Sequence, residues 1–270
     1  VLYICIPSYN EAPTVGVLLW RIRKVFQEYS REYEIIVYDD ASTDGTRDAL
    51  APYRKVMPLT VIGGSSRVGY ARAVEALLRS ASERTKYPRR DAVVMMQADF
   101  TDQPEHLPEL VKRFEGGADV VVGESVVGTA APEPVRKLAR LAKWMPALWP
   151  LRSAMSVPGV KDPFNGYRLM RISLIRDLLK ARGDQPFVDG PVWSANIELL
   201  KAAAPLARRV ESLPLASRWD VRLRESRVRP WPDAVEIIKR GWASRKHRTP
   251  AAVTTAAPSP SPNRTPTAAA

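Results

Sequence analysis

Short apolar runs alternate with amphipathic stretches along the first 125 residues. Leu2–Ile6, Glu34–Tyr38, Leu59–Ile62, Ala92–Met96 and Ala118–Val122 are rich in Val, Ile and Tyr and read as strands. Between them, Thr14–Glu28, Thr43–Tyr53, Gly69–Arg84 and Pro104–Phe114 carry helical spacing. In the first, Val15, Leu18, Leu19, Ile22, Val25 and Phe26 fall on one face. Strands alternating with helices of this size predict an α/β fold, a mostly parallel sheet with helices on both faces and right-handed crossovers. Beyond Gly123 the pattern loosens. Val135–Trp149 predicts a helix with Arg136, Arg140 and Lys143 on one face and Leu138, Leu141 and Met145 on the other. After the loop Gly159–Gly166 come a further strand–helix stretch, a helix near Val192–Ala204 and a late strand over Ala207–Leu213. Asp233–Trp242 is amphipathic through Val235, Ile238 and Trp242. The last 22 residues, from Thr249, hold five prolines among Ala, Thr and Ser, a composition expected to stay disordered.

Composition narrows the class. With 270 residues and 45% apolar content, the chain supports one large globular domain. A single cysteine excludes a disulfide scaffold, and Cys5, inside the first apolar run, is expected to be a buried strand thiol. No run approaches the roughly 18 apolar residues needed to span a bilayer. The amino end reads as a strand and not as a signal peptide, so the expected location is cytoplasmic. A net charge of +12 favours anionic partners. Nucleic acid is disfavoured among them, because the strand ends are acidic and would repel phosphates.

Those strand ends carry the candidate chemistry. In an open α/β sheet, ligands bind beyond the carboxyl ends of the strands. There stand Pro7-Ser8-Tyr9-Asn10-Glu11, Asp39-Asp40-Ala41-Ser42-Thr43-Asp44-Gly45-Thr46 and Gln97-Ala98-Asp99-Phe100-Thr101-Asp102. Turn capping accounts for Thr43 or Asp44. The adjacent acids Asp39 and Asp40 need something to bridge or separate them. Gly63-Gly64-Ser65-Ser66 is neither a Walker loop nor a dinucleotide turn. A bound nucleotide would therefore need another cation for its diphosphate, the simplest being a divalent metal on Asp99.

These strings resemble family 2 glycosyltransferases, as do Gly69-Tyr70-Ala71-Arg72-Ala73 and the continuation Gln103-Pro104-Glu105. Asp162-Pro163-Phe164-Asn165-Gly166-Tyr167-Arg168 and Arg224-Glu225-Ser226-Arg227 are similar to motifs of the dolichol- or polyprenyl-phosphate sugar transferase branch. The resemblance runs in order from residue 1 to about 228. It implies a GT-A fold, with residues 1–124 as the nucleotide-sugar half and 125–228 as the acceptor half. A basic amphipathic helix (229–248) and the tail (249–270) would follow. It further implies inverting transfer from a UDP- or GDP-sugar, with Mg2+ or Mn2+, to a polyprenyl phosphate. Pro7, Tyr9, Glu11, Asp39, Asp40, Gln97 and Ala98 would line the nucleotide pocket. Asp99 and Thr101 would meet the metal, and Asp99, Asp162, Arg222 and Arg227 would serve catalysis. An inactive nucleotide-sugar binder and a transferase acting on a hydroxyl remain alternatives; in the latter, Asp162 would be the base. The basic helices would rest on an anionic membrane. The chain departs from the pattern in three motifs: Gln97 replaces an acid, Gly123-Glu124-Ser125 lacks the branch's arginine, and Arg224 and Arg227 replace a glycine and a lysine.

Overall fold

A computed structural model of the chain describes residues 1–126, 156–183 and 192–216, with isolated positions between and beyond them. Seven strands among the described residues form one sheet: β1 (Leu2–Ser8), β2 (Tyr33–Asp39), β3 (Leu59–Ile62), β4 (Ala92–Met95), β5 (Val120–Val126), β6 (Arg168–Arg171) and β7 (Val210–Ala216). Their spatial order is β3-β2-β1-β4-β6-β5-β7. All neighbours are parallel except β6, which runs antiparallel to both β4 and β5. The chain winds outward from β1 through β2 to β3, then crosses back to place β4 on the other side of β1. The carboxyl ends of β1 and β4 thus flank the point where strand order reverses, the place such sheets reserve for ligands.

The helices complete among the described residues are α1 (Ala12–Glu28), α2 (Thr46–Leu50), α3 (Tyr70–Arg84), α4 (Leu107–Glu115), α5 (Ile172–Arg182) and α6 (Val192–Ala203). Alternation along each strand divides the core. Leu2, Ile4 and Ile6 face one layer with Leu18, Leu19 and Ile22 of α1, Leu50 of α2 and Leu110 of α4. Tyr3 and Cys5 face the other, with Leu77 and Leu78 of α3, Ile175 of α5 and Leu199 and Leu200 of α6. Each such aliphatic side chain contributes about 1.5–3 kcal/mol when fully buried. A strand covered on both faces must be apolar throughout, which is why β1 and β4 show continuous runs. Cys5 is fully buried as expected, and burial pushes its thiol far above the ordinary range, leaving it inert.

Several boundaries differ from the sequence reading. β1 continues through Pro7 and Ser8, because its register with β2 extends to the Ser8–Asp39 pair. The expected helix Thr43–Tyr53 starts only at Thr46, since the preceding residues form a turn around Asp44, and it ends in a 3-10 segment, Ala51–Lys55. Pro104–His106 is likewise 3-10 before α4, and proline is favoured at that opening turn. β7 begins at Val210 and includes Pro214, tolerated because β7 is an edge strand. The expected helices Val135–Trp149 and Asp233–Trp242, apart from isolated positions, and the tail lie outside the described residues.

Candidate active site

Three loops meet at the β1–β4 edge, and a hydrogen-bond lattice ties the first two together. The Asn10 amide donates to Ser42 Oγ (2.9 Å) and the Asn10 carboxamide accepts from the Thr43 amide (2.8 Å). The Glu11 amide donates to Thr46 Oγ1 (2.9 Å), and the Ala12 amide to Asp44 (3.0 Å). Asp44 and Thr46 thus spend their side chains bracing the loop after β1, so the capping reading of Asp44 holds. Asn10, Ala41 and Phe100 have φ of 53°, 56° and 64°, one in each loop. Non-glycine residues in this region cost about 1–3 kcal/mol each and cluster at functional sites.

Asp39 and Asp40 are both buried, and the structure separates them by turning each toward different partners. Asp39 Oδ1 accepts from the Ser42 amide (3.2 Å), while Oδ2 faces Arg47 Nε at 3.3 Å. Asp40 accepts from the Val68 and Gly69 amides (2.6 and 3.0 Å) just before α3, with Arg67 Nε at 3.6 Å. Asp40 therefore anchors the start of α3. The Arg67 guanidinium also stacks over the Tyr9 ring at 3.9 Å. Backbone approach is close here: a Cβ on Gly63, whose φ is +130°, would sit 2.1 Å from the Asp39 carbonyl oxygen. Gly63→Ala is expected to destabilise the fold by about 1–3 kcal/mol, read as a lowered urea midpoint, and to displace the loop carrying Asp39.

The third loop closes on itself. Asp102 accepts from the Gln97 amide (2.8 Å), and Asp99 Oδ1 accepts from the Thr101 amide (3.1 Å) and hydroxyl (2.6 Å). Asp99 is 4% exposed. Burial above all, reinforced by the Asp99 charge and opposed by the Gln97 N–H and Arg168, pushes the Asp102 carboxyl up to about 7. Sequence reasoning gave Asp102 no role. Ala98 buries its methyl in the core, so only its backbone faces the loop. Pro7 is the penultimate residue of β1, and Glu11 Oε2 accepts from Thr14 Oγ1 (3.0 Å) at the start of α1.

The loop 162–168 comes from the far side. Asp162 accepts from the Ser125 amide (3.2 Å) and the Phe164 amide (3.3 Å), and burial raises its carboxyl above the usual range. Arg168 is wholly buried; it donates to the carbonyls of Asn196 (2.7 Å) and Asn165. Burial lowers its guanidinium to about 10, so it stays cationic at neutral pH. Tyr70 and Asn196 complete the junction, through a 2.9 Å bond from the Tyr70 hydroxyl to Asn196 Oδ1. Asn196 had no sequence signal, because its place depends on how α6 packs. Arg222, Arg227, Arg140 and Arg224 lie outside the described residues.

Among the described residues, no three His, Cys, Asp or Glu side chains gather to hold an ion. Mg2+ and Mn2+ are commonly bound by one or two carboxylates with phosphate and water oxygens completing the shell. The hard oxygen donor of Asp99 fits an ion shared with a nucleotide, and not a structural ion caged by protein.

Residues 3–179 match the model of glycosyl transferase family 2. The chain belongs to that family. It is 28% identical over 213 residues to undecaprenyl-phosphate mannosyltransferase of Micrococcus luteus, covering 78% of this chain and 80% of the relative. It is 29% identical over 176 residues to dolichol-phosphate mannosyltransferase of Pyrococcus furiosus, covering 64% of this chain but only 46% of that longer protein. The branch expected from the motifs is thus the one the relatives occupy. Glucosyl-3-phosphoglycerate synthase from Mycobacterium tuberculosis, solved with Mn2+ and UDP, superposes with TM-score 0.57 at 19% identity, over 91% of this chain and 78% of that one. Staphylococcus aureus TarS bound to UDP-GlcNAc gives 0.55 at 15%, over 90% and 65%. At such identities the likeness is one of fold, and the fold is the GT-A arrangement that the family implies.

Proposed function

We propose that this family 2 chain transfers a sugar from a UDP- or GDP-sugar to a polyprenyl phosphate. The observation that carries the reading is the buried Asp99 turn after β4, placed at the switch point opposite the laced loops of β1 and β2. The relatives named for undecaprenyl and dolichol phosphates support the acceptor. Residues 1–124 then form the donor half and 125–228 the acceptor half. Tyr9, Glu11 and Asp39 flank the nucleoside, with Pro7, Asp40, Gln97 and Ala98 shaping its walls through backbone and loop anchoring.

In the reaction, an acceptor phosphate oxygen attacks the anomeric carbon from the face opposite the leaving group. The new C–O bond forms as the bond to the diphosphate breaks, inverting the centre and sending the electron pair to the nucleoside diphosphate. Asp99 and Thr101 would hold the Mg2+ or Mn2+, which supplies Lewis-acid neutralisation of the departing charge. Arg222 and Arg227 add positive charge in this reading. A phosphate acceptor is already ionised at neutral pH, so no strong base is required. Asp162 then serves mainly to cap its loop. Accordingly, Asp162→Asn is expected to lower turnover by less than about tenfold, whereas loss of a true general base costs about 10²–10⁴-fold.

No helix among the described residues is long and apolar enough to cross a membrane. The basic segments 135–149 and 229–248 would hold the protein at the cytoplasmic membrane face. The deciding experiment mixes the protein with Mn2+, polyprenyl phosphate and a panel of UDP- and GDP-sugars. The expected result is lipid-linked sugar with equal release of nucleoside diphosphate. Nucleotide binding with no release from any donor would favour the inactive binder.

A further inference from the structure

Gln97 stands where the family motif has an acid, and its surroundings explain the exchange. Its Nε2 lies 3.4 Å from the Tyr70 hydroxyl, Tyr70 lies 2.9 Å from Asn196 Oδ1, and Asn196 Nδ2 lies 2.9 Å from the Phe164 carbonyl oxygen. The direction of this chain of bonds is fixed from its far end. A carbonyl only accepts, so the Asn196 amide must present its NH2 to Phe164 and its oxygen to Tyr70. Tyr70 has one proton, which burial holds by pushing its hydroxyl up to about 12. That proton goes to Asn196, and the Tyr70 oxygen is left to accept. Residue 97 must therefore donate. Glutamine does so; an ionised carboxylate cannot.

The junction is also tightly closed. A Cβ on Gly166 would lie 3.0 Å from Gln97 Nε2, 3.3 Å from Asn196 Nδ2 and 3.3 Å from the Tyr70 hydroxyl. Arg168 fixes the Asn196 backbone from behind through its 2.7 Å bond to that carbonyl. Tyr70 opens α3, whose preceding amides hold Asp40. The Tyr70 hydroxyl thus bonds the loop of Asp99 directly and the loop of Asp162 through Asn196, while the residues just before its helix hold Asp40.

We propose that Gln97 is a positioning residue whose amide starts a one-way relay, Gln97–Tyr70–Asn196–Phe164, locking the loop of Asp99 to the loop of Asp162. The exchange of acid for amide is then an adaptation of this chain to Tyr70 and Asn196, and restoring the family's acid would harm it. The functional part of this inference rests on the transferase reading above, whereas the relay itself can be read without substrate.

The test is a double-mutant cycle on the unliganded protein. Gln97→Glu keeps the side-chain length but removes the donor, and should lower the melting temperature by about 3–6 °C. In the Tyr70→Phe background the same change should cost at least about 2 °C less, because the acceptor of the bond is gone. The charge added beside Asp99 and Asp102 is common to both arms and cancels. Gln97→Met, which removes the donor without adding charge, should show coupling of the same sign. Equal losses in both backgrounds, or a higher melting temperature for Gln97→Asp than for the natural chain, would overturn the relay. With substrates, Tyr70→Phe should raise the acceptor KM about tenfold and the donor KM by a clearly smaller factor, a split that general loosening would not produce. An unchanged acceptor KM would refute the positioning role. Absence of transfer from any donor alongside intact melting coupling would refute the transferase reading alone.

Discussion

Asp99→Ala should abolish metal-dependent stabilisation by UDP- or GDP-sugars and lower turnover by at least about 10²–10³-fold, the range seen when one preorganised transition-state group is lost. The fold should survive, because the bonds that Asp99 accepts from Thr101 lie within one loop and outside the apolar core. Those bonds are worth about 0.5–1.5 kcal/mol each. Thermal melting with and without Mn2+ and nucleotide reads the two effects separately: the natural chain should gain stability only when both are present, and the variant should gain none. A variant that keeps the full metal-dependent shift would remove Asp99 from the site and the transferase mechanism with it.

The largest effect on stability is expected at Arg168. Its guanidinium is fully buried, feels the charges of Asp162 and Asp102, and holds two backbone carbonyls. Arg168→Met would remove both of those charge-assisted bonds and the cation that draws both carboxyls downward. Removing one member of a buried charged group costs about 3–5 kcal/mol. Lysine should not rescue, since one ammonium cannot span both carbonyls as the planar fork does. The deficit should also depend on pH. Both acids are raised in the folded chain, so the folded state holds more protons than the unfolded one, and stability falls as pH climbs from the ordinary carboxylate range through about 7. Without Arg168 both rise further and the fall steepens. Urea denaturation of the metal-free protein should therefore show a wider gap between variant and natural chain at pH 8 than at pH 5; a gap that narrows would contradict the assignment.

The sequence was informative wherever a local rule sets the outcome. β1 and β4 are buried on both faces and so had to be continuous apolar runs, and the face of α1 was legible in Val15, Leu18, Leu19 and Ile22. The motif loops at the strand ends were legible for the same reason: strand–helix alternation dictates which end of the sheet they occupy. Boundaries failed where local side chains bind backbone instead of letting a helix start, as Asp44 and Thr46 do against the expected start at Thr43 by accepting from the Thr46, Ala12 and Glu11 amides. The antiparallel β6 was not legible, because direction within a sheet depends on the path of the intervening chain.

The order of hydrophobic runs alone established a doubly covered α/β sheet with its acid-bearing loops at one edge, since periodicity and adjacency are properties of the chain itself. The transferase family came from the resemblance of the motif strings and is shown by the match over residues 3–179. Only the folded molecule decided that Asp39 and Asp40 turn apart, that Asp102 and Arg168 are both buried within electrostatic reach of each other, and that Tyr70 meets both Gln97 and an asparagine 126 residues away. Burial, hydrogen-bond direction and charge proximity arise between segments remote in sequence, and no local pattern encodes them.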